Sequence, residues 1–405
     1  MKHKVVIKKI DPPGGSPLKW DARALDKLKE TLGELIEQSG FNLNKIKNAS
    51  VLLHPNLVRP HLSRPASFTD PRLILAAAAL FKESGAGSVG VGENPGLKYP
   101  ARQAFKESGL TDSLAKMDVN AHYFDEGKWK QVSNPQGRLF RTITVSQDVL
   151  DTDFFVNIPK MKTHMLTEVS LCLKNLLGII HDNDRMLLHR NDIADKVVDL
   201  NFVRSPDLNI VDGLWAMEGQ APFHGMSIEE FNVLVIGKKA PVVDAVCCRV
   251  MGYIPDEVPH VKLALKRLVK DWNGEDQVEL CGDSIGSIKR EFKRPILSSL
   301  GSFDPIECIE CGVCNGCLSA VRHSLDWLQA EIDMSGLPKC TIVSGRPMPN
   351  RQTLESWNGK LLLFGNCAAE FQFYDLEKRV NAIWIPGCPP HVLDLAMFLK
   401  TLNKK

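Results

Sequence analysis

Short β-rich runs, KVVIKKI, SVLLHPN, SVGVGEN, DFFVNIP, LNIVDG and NVLVIG, alternate with helical patterns between Lys4 and Gly237. Strands interleaved with helices in this way are joined by crossovers, so the expected fold is α/β with a largely parallel sheet. Asp70-Pro71 opens one helix, the aspartate as N-cap and the proline at the first helical position, and Gly85 closes it. The string FKESG recurs, ending at Gly85 and again at Gly109, as two helices stopped by the same chemistry rather than as a repeat. In open α/β sheets ligands bind beyond the carboxyl ends of the strands. The loops expected there read HPNLVRP, GENPG, PKMKTH and DGLWAMEGQAPFHG, and they concentrate His, Lys, Asn, Asp and Glu. None is a phosphate loop: GVGENPG misses the G-x-G-x-x-G spacing, and Pro95 removes an amide that a phosphate cradle would use.

A chain of 405 residues has room for two or three domains with cores of their own. Its 50 Lys+Arg against 48 Asp+Glu give a net charge of +2, which carries no polyelectrolyte signature for nucleic acid or an anionic membrane. MKHKVVIKKIDPPGG lacks the apolar core of a secretory signal, and no apolar run approaches the roughly 20 residues that span a bilayer. The expectation is a soluble cytoplasmic protein with no membrane insertion and no nucleic-acid partner. Of eleven cysteines, Cys172, Cys247, Cys248 and Cys281 are scattered, and the other seven follow residue 307. That shift places a domain boundary near residue 300, in RPILSSLGSFDP, between an α/β domain at 1–300 and a smaller cysteine-rich α/β module at 301–405.

Lys160, Lys162 and His164 follow DFFVNIP in an expected loop. Lys174 and Asn175 come about three helical turns later on an expected helix, LTEVSLCLKNLLG, with Leu166, Val169, Leu173 and Leu176 as its buried stripe. Lys174 borders that stripe, so its amine is held near the interior, where an anionic partner would relieve the cost of burying a charge. A single lysine is more commonly solvated; the clustering is what points to a carboxylate or phosphate pocket built from Lys160, Lys162, Lys174 and Arg185. His164, His181, His189 and His224 are candidate proton-transfer groups, but no H-x3-H or H-E-x2-H pair fixes a metal. Asp212, Glu218 and His224 share one expected loop, the runner-up for acid/base work. The catalytic candidates are therefore Lys162, His164, Lys174 and His224; the candidates for substrate contact are Asn56, Glu93, Lys160, Asn175, Arg185, Asp212 and Glu218.

The order HPNLVRP, FTDPRLILAA, VGENPG, NIPKMKTHMLTEVSLCLKNLLG, IVDGLWAMEGQAPFHG and VVDAVCCRVMG resembles the family known as domain of unknown function 362, over about residues 50 to 255. PKMKTH with LKNLLG carries most of the likeness. Members often have iron–sulfur cysteines, and the family's reaction is not established, so the resemblance implies architecture and a site rather than an activity. Two stretches depart from the family's pattern: QAP follows MEG, and GKKAPVVD leads to Asp244.

IECIECGVCNGCLSAV sets Cys308, Cys311, Cys314 and Cys317 at C-x2-C-x2-C-x2-C spacing, which differs from the C-x2-C-x2-C-x3-C-P of bacterial ferredoxins. Cys367 and Cys388 each follow an apolar strand and a glycine turn, in GKLLLFGNCAAE and NAIWIPGCPPH, and parallel neighbours would bring them to one edge. GNCA with IPGCPPH resembles, over about 30 residues, the cluster-binding subunits of respiratory complex I and nickel–iron hydrogenases, whose PGCPP cysteine ligates a [4Fe-4S] cluster. Cys340 begins the strand-like CTIVSG and is read as structural; Cys247 and Cys248 are read as buried small hydrophobes. A four-thiolate zinc site is the alternative, although zinc ribbons normally separate two knuckles by a long spacer. The expected cofactor is one [4Fe-4S] cluster, or two, with Cys308, Cys311, Cys314, Cys317, Cys367 and Cys388 as ligands. The function expected from sequence is an oxygen-sensitive iron–sulfur oxidoreductase of a small anionic molecule, working with a redox protein partner. Its rivals are a non-enzymatic electron carrier or partner-docking subunit, and a non-redox isomerase or hydro-lyase.

Overall fold

The structure is a computed structural model that describes residues 2–12, 17, 21–58, 60, 65–96, 99–188, 192–222, 224–295, 303–346, 360–373 and 382–403. The chain forms two compact units, Met1–Arg185 with Ala194–Pro295, and Met186–Ile193 with Ile296–Lys405. Most of the linker expected near residue 300 lies outside the described residues.

The larger unit is built on an eleven-stranded mixed sheet. Its main path runs Val278–Gly282, His3–Lys9, Val233–Gly237, Leu208–Gln220, Phe154–Ile158, Ser50–Pro55, Ser88–Glu93 and Asn120–Tyr123. Pairing is parallel from Leu208–Gln220 out to Asn120–Tyr123, and antiparallel on both sides of Val233–Gly237. Parallel strands are covered on both faces and read as continuous apolar runs, as Ser50–Pro55, parallel to both neighbours and buried from Val51 to Pro55, shows. Helix Pro71–Glu83 starts as the sequence implies: Asp70 accepts a hydrogen bond from Arg72 N, and proline occupies the first turn. The parallel register brings the ends of Ser50–Pro55, Ser88–Glu93 and Phe154–Ile158 to one edge, which places Asn56, Glu93 and Lys160 there together.

Three local expectations are corrected. Lys160–His164 is a buried strand rather than a loop, paired with Leu208–Gln220 and with Glu168–Ser170. LTEVSLCLKNLLG is not one helix but strand Glu168–Ser170, a short helix Cys172–Asn175 and a 3-10 turn Leu176–Ile179. The segment is buried almost throughout, so its apolar spacing marks no face and cannot tell a helix from a strand. The supposed loop holding Asp212, Glu218 and His224 is instead strand Leu208–Gln220 and its hairpin partner His224–Ile228, with Gln220 opposite His224. Edge pairing with a second hairpin strand lets the backbone stay extended past Asp212.

In the smaller unit Ile306–Cys311, Cys340–Gly345, Lys360–Phe364 and Ala382–Ile385 pair in that order, all parallel. Helices Asn315–Glu331 and Val392–Leu402 pack on one face, where Val321, Leu325, Leu328, Leu395 and Leu399 meet Ile306, Ile342, Leu362, Phe364 and Ile385. The four close cysteines are not one loop: Cys308 and Cys311 sit on a strand, Cys314 is the N-cap of the following helix, and Cys317 lies in its first turn. Among the described residues no helix is long and apolar enough to cross a membrane.

Candidate functional site

Three lysines gather at the carboxyl edge of the large sheet. Lys160 Nζ donates to Asp212 Oδ2 at 2.9 Å, both side chains being fully buried. The same carboxylate accepts from Asp70 N at 2.7 Å and Leu214 N at 2.9 Å; burial raises its pKa, and Lys160 opposes that rise. Lys162, two residues on along the strand, donates to Asn56 Oδ1 and to Ser67 O, both at 2.7 Å. Burial lowers its pKa to about 7, helped by repulsion from Lys160 and from Lys174, so the three ammonium groups share one electrostatic environment. Lys174 is 6% exposed and forms no hydrogen bond or ion pair with a described residue. Burial, then Arg185, lowers it to about 7 as well.

The neutral groups are held by a relay of amides. Asn56 Nδ2 donates to Asn175 Oδ1, Asn175 Nδ2 to Asn157 Oδ1, and Asn157 Nδ2 to Asn209 Oδ1, at 2.8–3.0 Å. Each amide thereby fixes the orientation of the one before it, and the first presents its oxygen to Lys162. Asp244, fully buried on helix Ala240–Val250, accepts from Cys172 N at 2.8 Å and Leu173 N at 3.0 Å. It satisfies two free amides at the start of the short helix that carries Lys174 and Asn175. Burial raises Asp244 to about 7.

Glu93 is 2% exposed, its pKa raised by burial, and its Oε2 accepts from Leu57 N at 3.2 Å. His54 and Arg185 act on it as positive neighbours. His54 Nδ1 lies 2.9 Å from Gly92 O and Nε2 lies 3.0 Å from Asn175 O, so both ring nitrogens face backbone carbonyl oxygens. Arg185 Nη2 donates to Asn94 O at 2.7 Å, and burial lowers the guanidinium's pKa. Gly178 makes this approach possible: a Cβ there would overlap Glu93 Oε1 and lie 2.6 Å from His54 Cε1. Gly178→Ala is expected to cost about 1–3 kcal/mol, the usual range for overpacking, read as a lower denaturation midpoint with unchanged denaturant slope.

The remaining candidates fall elsewhere. Glu218 accepts from Lys293 N at 3.0 Å and lies 4.0 Å from Arg290; among the described residues no hydrogen bond or ion pair joins it to Lys160, Lys162 or Lys174. His164 is buried, and its Nδ1 accepts from Leu166 N. His181 caps Asn183 N and meets Trp129 edge-on. The side chain of His224, and His189 altogether, lie outside the described residues. Sequence reasoning missed His54, Asn157, Asn209, Asp244 and His260, the last a buried residue close enough to Lys174 to feel its charge. The signal was present for two of them: Asn157 and Asn209 interrupt the apolar strands DFFVNIP and LNIV.

Residues 51–249 match the family model described as Domain of unknown function (DUF362). Every lysine, asparagine and carboxylate of the cluster described above lies inside that DUF362 stretch, and His260 lies just beyond it. The thylakoid-associated protein sll1697 of Synechocystis sp. is 27% identical over 239 residues, 57% of this chain and 72% of that protein. Among solved structures, the lactate racemase apoprotein from Thermoanaerobacterium thermosaccharolyticum aligns with a TM-score of 0.39 and 13% identity, over 61% of this chain and 56% of that one.

In the smaller unit, in its part beyond the DUF362 match, the thiols of Cys314, Cys317 and Cys388 are neighbours: Cys317 shares a hydrogen bond with Cys314 and feels the charge of Cys388. Cys367 follows strand Lys360–Phe364, and Cys388 follows its parallel neighbour Ala382–Ile385, at the same edge. Gly365, at φ +93°, leaves room beside them, since a Cβ there would lie 3.0 Å from Cys317 Sγ. Cys308 stands differently. It lies on the same face of the sheet as Cys340 and next to it, and burial followed by that neighbour pushes its thiol up to about 12. Cys340, read from the sequence as structural, thus has one tetrad thiol, that of Cys308, beside it, because β-pleating turns alternate residues to opposite faces. Cys247 and Cys248 are fully buried in helix Ala240–Val250, and burial raises both thiols well above their usual range.

Proposed function

We propose that this chain is an enzyme of a small anionic molecule, held by Lys162 and Lys174, and that its smaller unit carries an iron–sulfur cluster. The observation that carries the substrate class is Lys174, a buried ammonium with no partner among the described residues. An isolated buried charge is costly, and a carboxylate or phosphate oxygen is the group that would offset it. Lysines lowered to about 7 also exchange protons readily at neutral pH, which suits them to general acid–base work.

The donor set suits an iron–sulfur cluster, because Cys314, Cys317 and Cys388 gather beside a glycine cradle. Cys311, which ends its strand, and Cys367 are the further donors at the same edge. Such a cluster, when bound, supplies one-electron chemistry. On this reading the enzyme is an oxidoreductase with a redox protein as its electron partner. The two near-neutral lysines also favour a second reading, proton transfer without electron transfer, as in an isomerase or hydro-lyase. Reoxidation of the dithionite-reduced protein by a carboxylate or phosphate substrate supports the first; turnover with no spectral change supports the second.

The anion site is tested by thermal shift with sulfate, phosphate and malonate. Stabilisation that grows with ligand concentration is expected for the parent and its loss in Lys174→Met. A parent that gains nothing from any anion would overturn the site.

A further inference from the structure

Counting which buried charges are already compensated deepens the anion-site reading and rests on it. Arg72 is paired with Asp70 at 2.7 Å, and Lys160 with Asp212 at 2.9 Å. Arg185 has Asp182 at 3.8 Å and also feels Glu93, which in turn faces His54. Among the described residues of this cluster two ammonium groups remain. Lys162 meets, among the described residues, only neutral acceptors, Asn56 Oδ1 and Ser67 O, and these use two of its three N–H donors. Lys174 has no partner among the described residues. Close enough to feel the charge of Lys174 lies His260, buried, its Nε2 without a hydrogen-bond partner among the described residues.

We propose that Lys162 and Lys174 together seat a doubly charged oxyanion group, of the phosphate-monoester or dicarboxylate type, rather than a single carboxylate. A monoanion would compensate one ammonium and leave the other buried and uncompensated, the costlier arrangement. A dianion compensates both, and its several oxygens match the donors left over: one on Lys162, three on Lys174 and the Nε2 edge of His260.

Protonation follows from the same count. Burial lowers both lysines to about 7, so above neutral pH the empty site holds them largely uncharged, and binding a dianion must draw protons from solvent onto the lysines. The other groups facing the pair do not reverse this sign. Lys160 is locked to Asp212, Arg185 beside Asp182 lowers Lys174 further, His260 is neutral with its pKa lowered to about 3, and Glu93, raised by burial, favours the charged form of Lys162 when it ionises.

The test is calorimetric titration of the full-length protein with sulfate, malonate and acetate at about pH 8, in two buffers of unlike ionisation enthalpy. Sulfate and malonate stay dianionic there, so any proton taken up belongs to the protein. The expected result is about two protons per dianion and an affinity that falls up to about hundredfold per pH unit above neutrality. Tighter sulfate marks a tetrahedral group, and tighter malonate a planar dicarboxylate. Acetate is expected to bind at least about tenfold more weakly and to take up one proton. Acetate binding as tightly as the dianions, or dianions taking up one proton or none, overturns the double charge but leaves the anion site standing. Failure of all three anions to bind, or binding unchanged in Lys174→Met, overturns the site itself. Should Lys174→Met not fold, the proton count on the parent chain still decides.

Discussion

The ligand-free chain is expected to have a stability minimum near neutral pH and to become more stable as the pH rises from about 7 to about 9, where ordinary proteins are level or declining. Lys162 and Lys174 are lowered from 10.5 to about 7 by burial. Below pH 7 both are charged in the folded and the unfolded chain, so the folded state bears the full cost of burying them. Between 7 and 10.5 the unfolded chain binds more protons than the folded one, and stability therefore rises with pH. Each lysine contributes a slope approaching about 1.4 kcal/mol per pH unit, so the pair contributes on the order of 4–5 kcal/mol by pH 9.

Other buried groups shape the curve on either side. Asp244 is raised from 3.8 to about 7, so the folded chain holds its proton longer and stability falls as the pH climbs through that interval. Cys172, Cys247 and Cys248, all raised by burial, stabilise the protonated folded state and remove stability above about pH 9. The lysine contribution is isolated by comparing denaturant unfolding of the parent with that of Lys162→Met/Lys174→Met at each pH. The double variant strips Asn56 Oδ1 and Ser67 O of their donor, which offsets its curve by a constant amount. The decisive quantity is the slope: the parent is expected to gain on the variant between pH 7 and 9. Parallel curves would show that the lysines are solvated and that no buried cation awaits a ligand.

The parts of the fold legible in the sequence were those that local chemistry decides. Asp70-Pro71 supplies a helix start from its own chemistry, and the buried β-rich runs Ser50–Pro55 and Phe154–Ile158 announce a parallel sheet. Where a segment is buried all round, the pattern stops carrying information, so LTEVSLCLKNLLG was read as one helix although Asp244, 72 residues away from Cys172, fixes a new helix start within it. The lysine cluster was legible as composition, in PKMKTH, but its charge balance was not. Lys160 finds Asp212 across 52 residues and Lys162 finds Asn56 across 106, so which ammonium remains unpaired is decided by the tertiary fold alone. Cys308 illustrates the same limit. A three-residue spacing suggests four equivalent thiols, whereas a strand followed by a helix sorts them by face and by edge.

That sorting predicts which thiols matter. On anaerobic reconstitution with iron and sulfide, Cys317→Ser and Cys388→Ser are each expected to lose most of the bound iron and the visible absorption, whereas Cys340→Ser keeps both. Cys317 touches Cys314, feels Cys388, and sits where Gly365 leaves the space open, so it is central to the group that would close around a cluster. Cys388 follows Ala382–Ile385 at the same edge, between Gly387 and Pro389-Pro390, on a turn whose prolines limit the freedom lost when the thiol is ordered. Cys340 opens its strand at the other edge, its thiol raised to about 11 chiefly by burial, and its neighbour is Cys308. Serine at Cys308 is accordingly expected to reduce iron content less than serine at Cys317, although both lie in the same ten-residue run. Removing a thiolate ligand weakens the cluster directly, while replacing a buried structural thiol costs packing and leaves metal content intact. The pattern across the four variants therefore separates ligation from stability. Equal iron loss at Cys308 and Cys317 would restore the tetrad as a self-contained set. A colourless, EPR-silent protein holding one zinc would replace the cluster with a structural site and leave the redox reading without its cofactor.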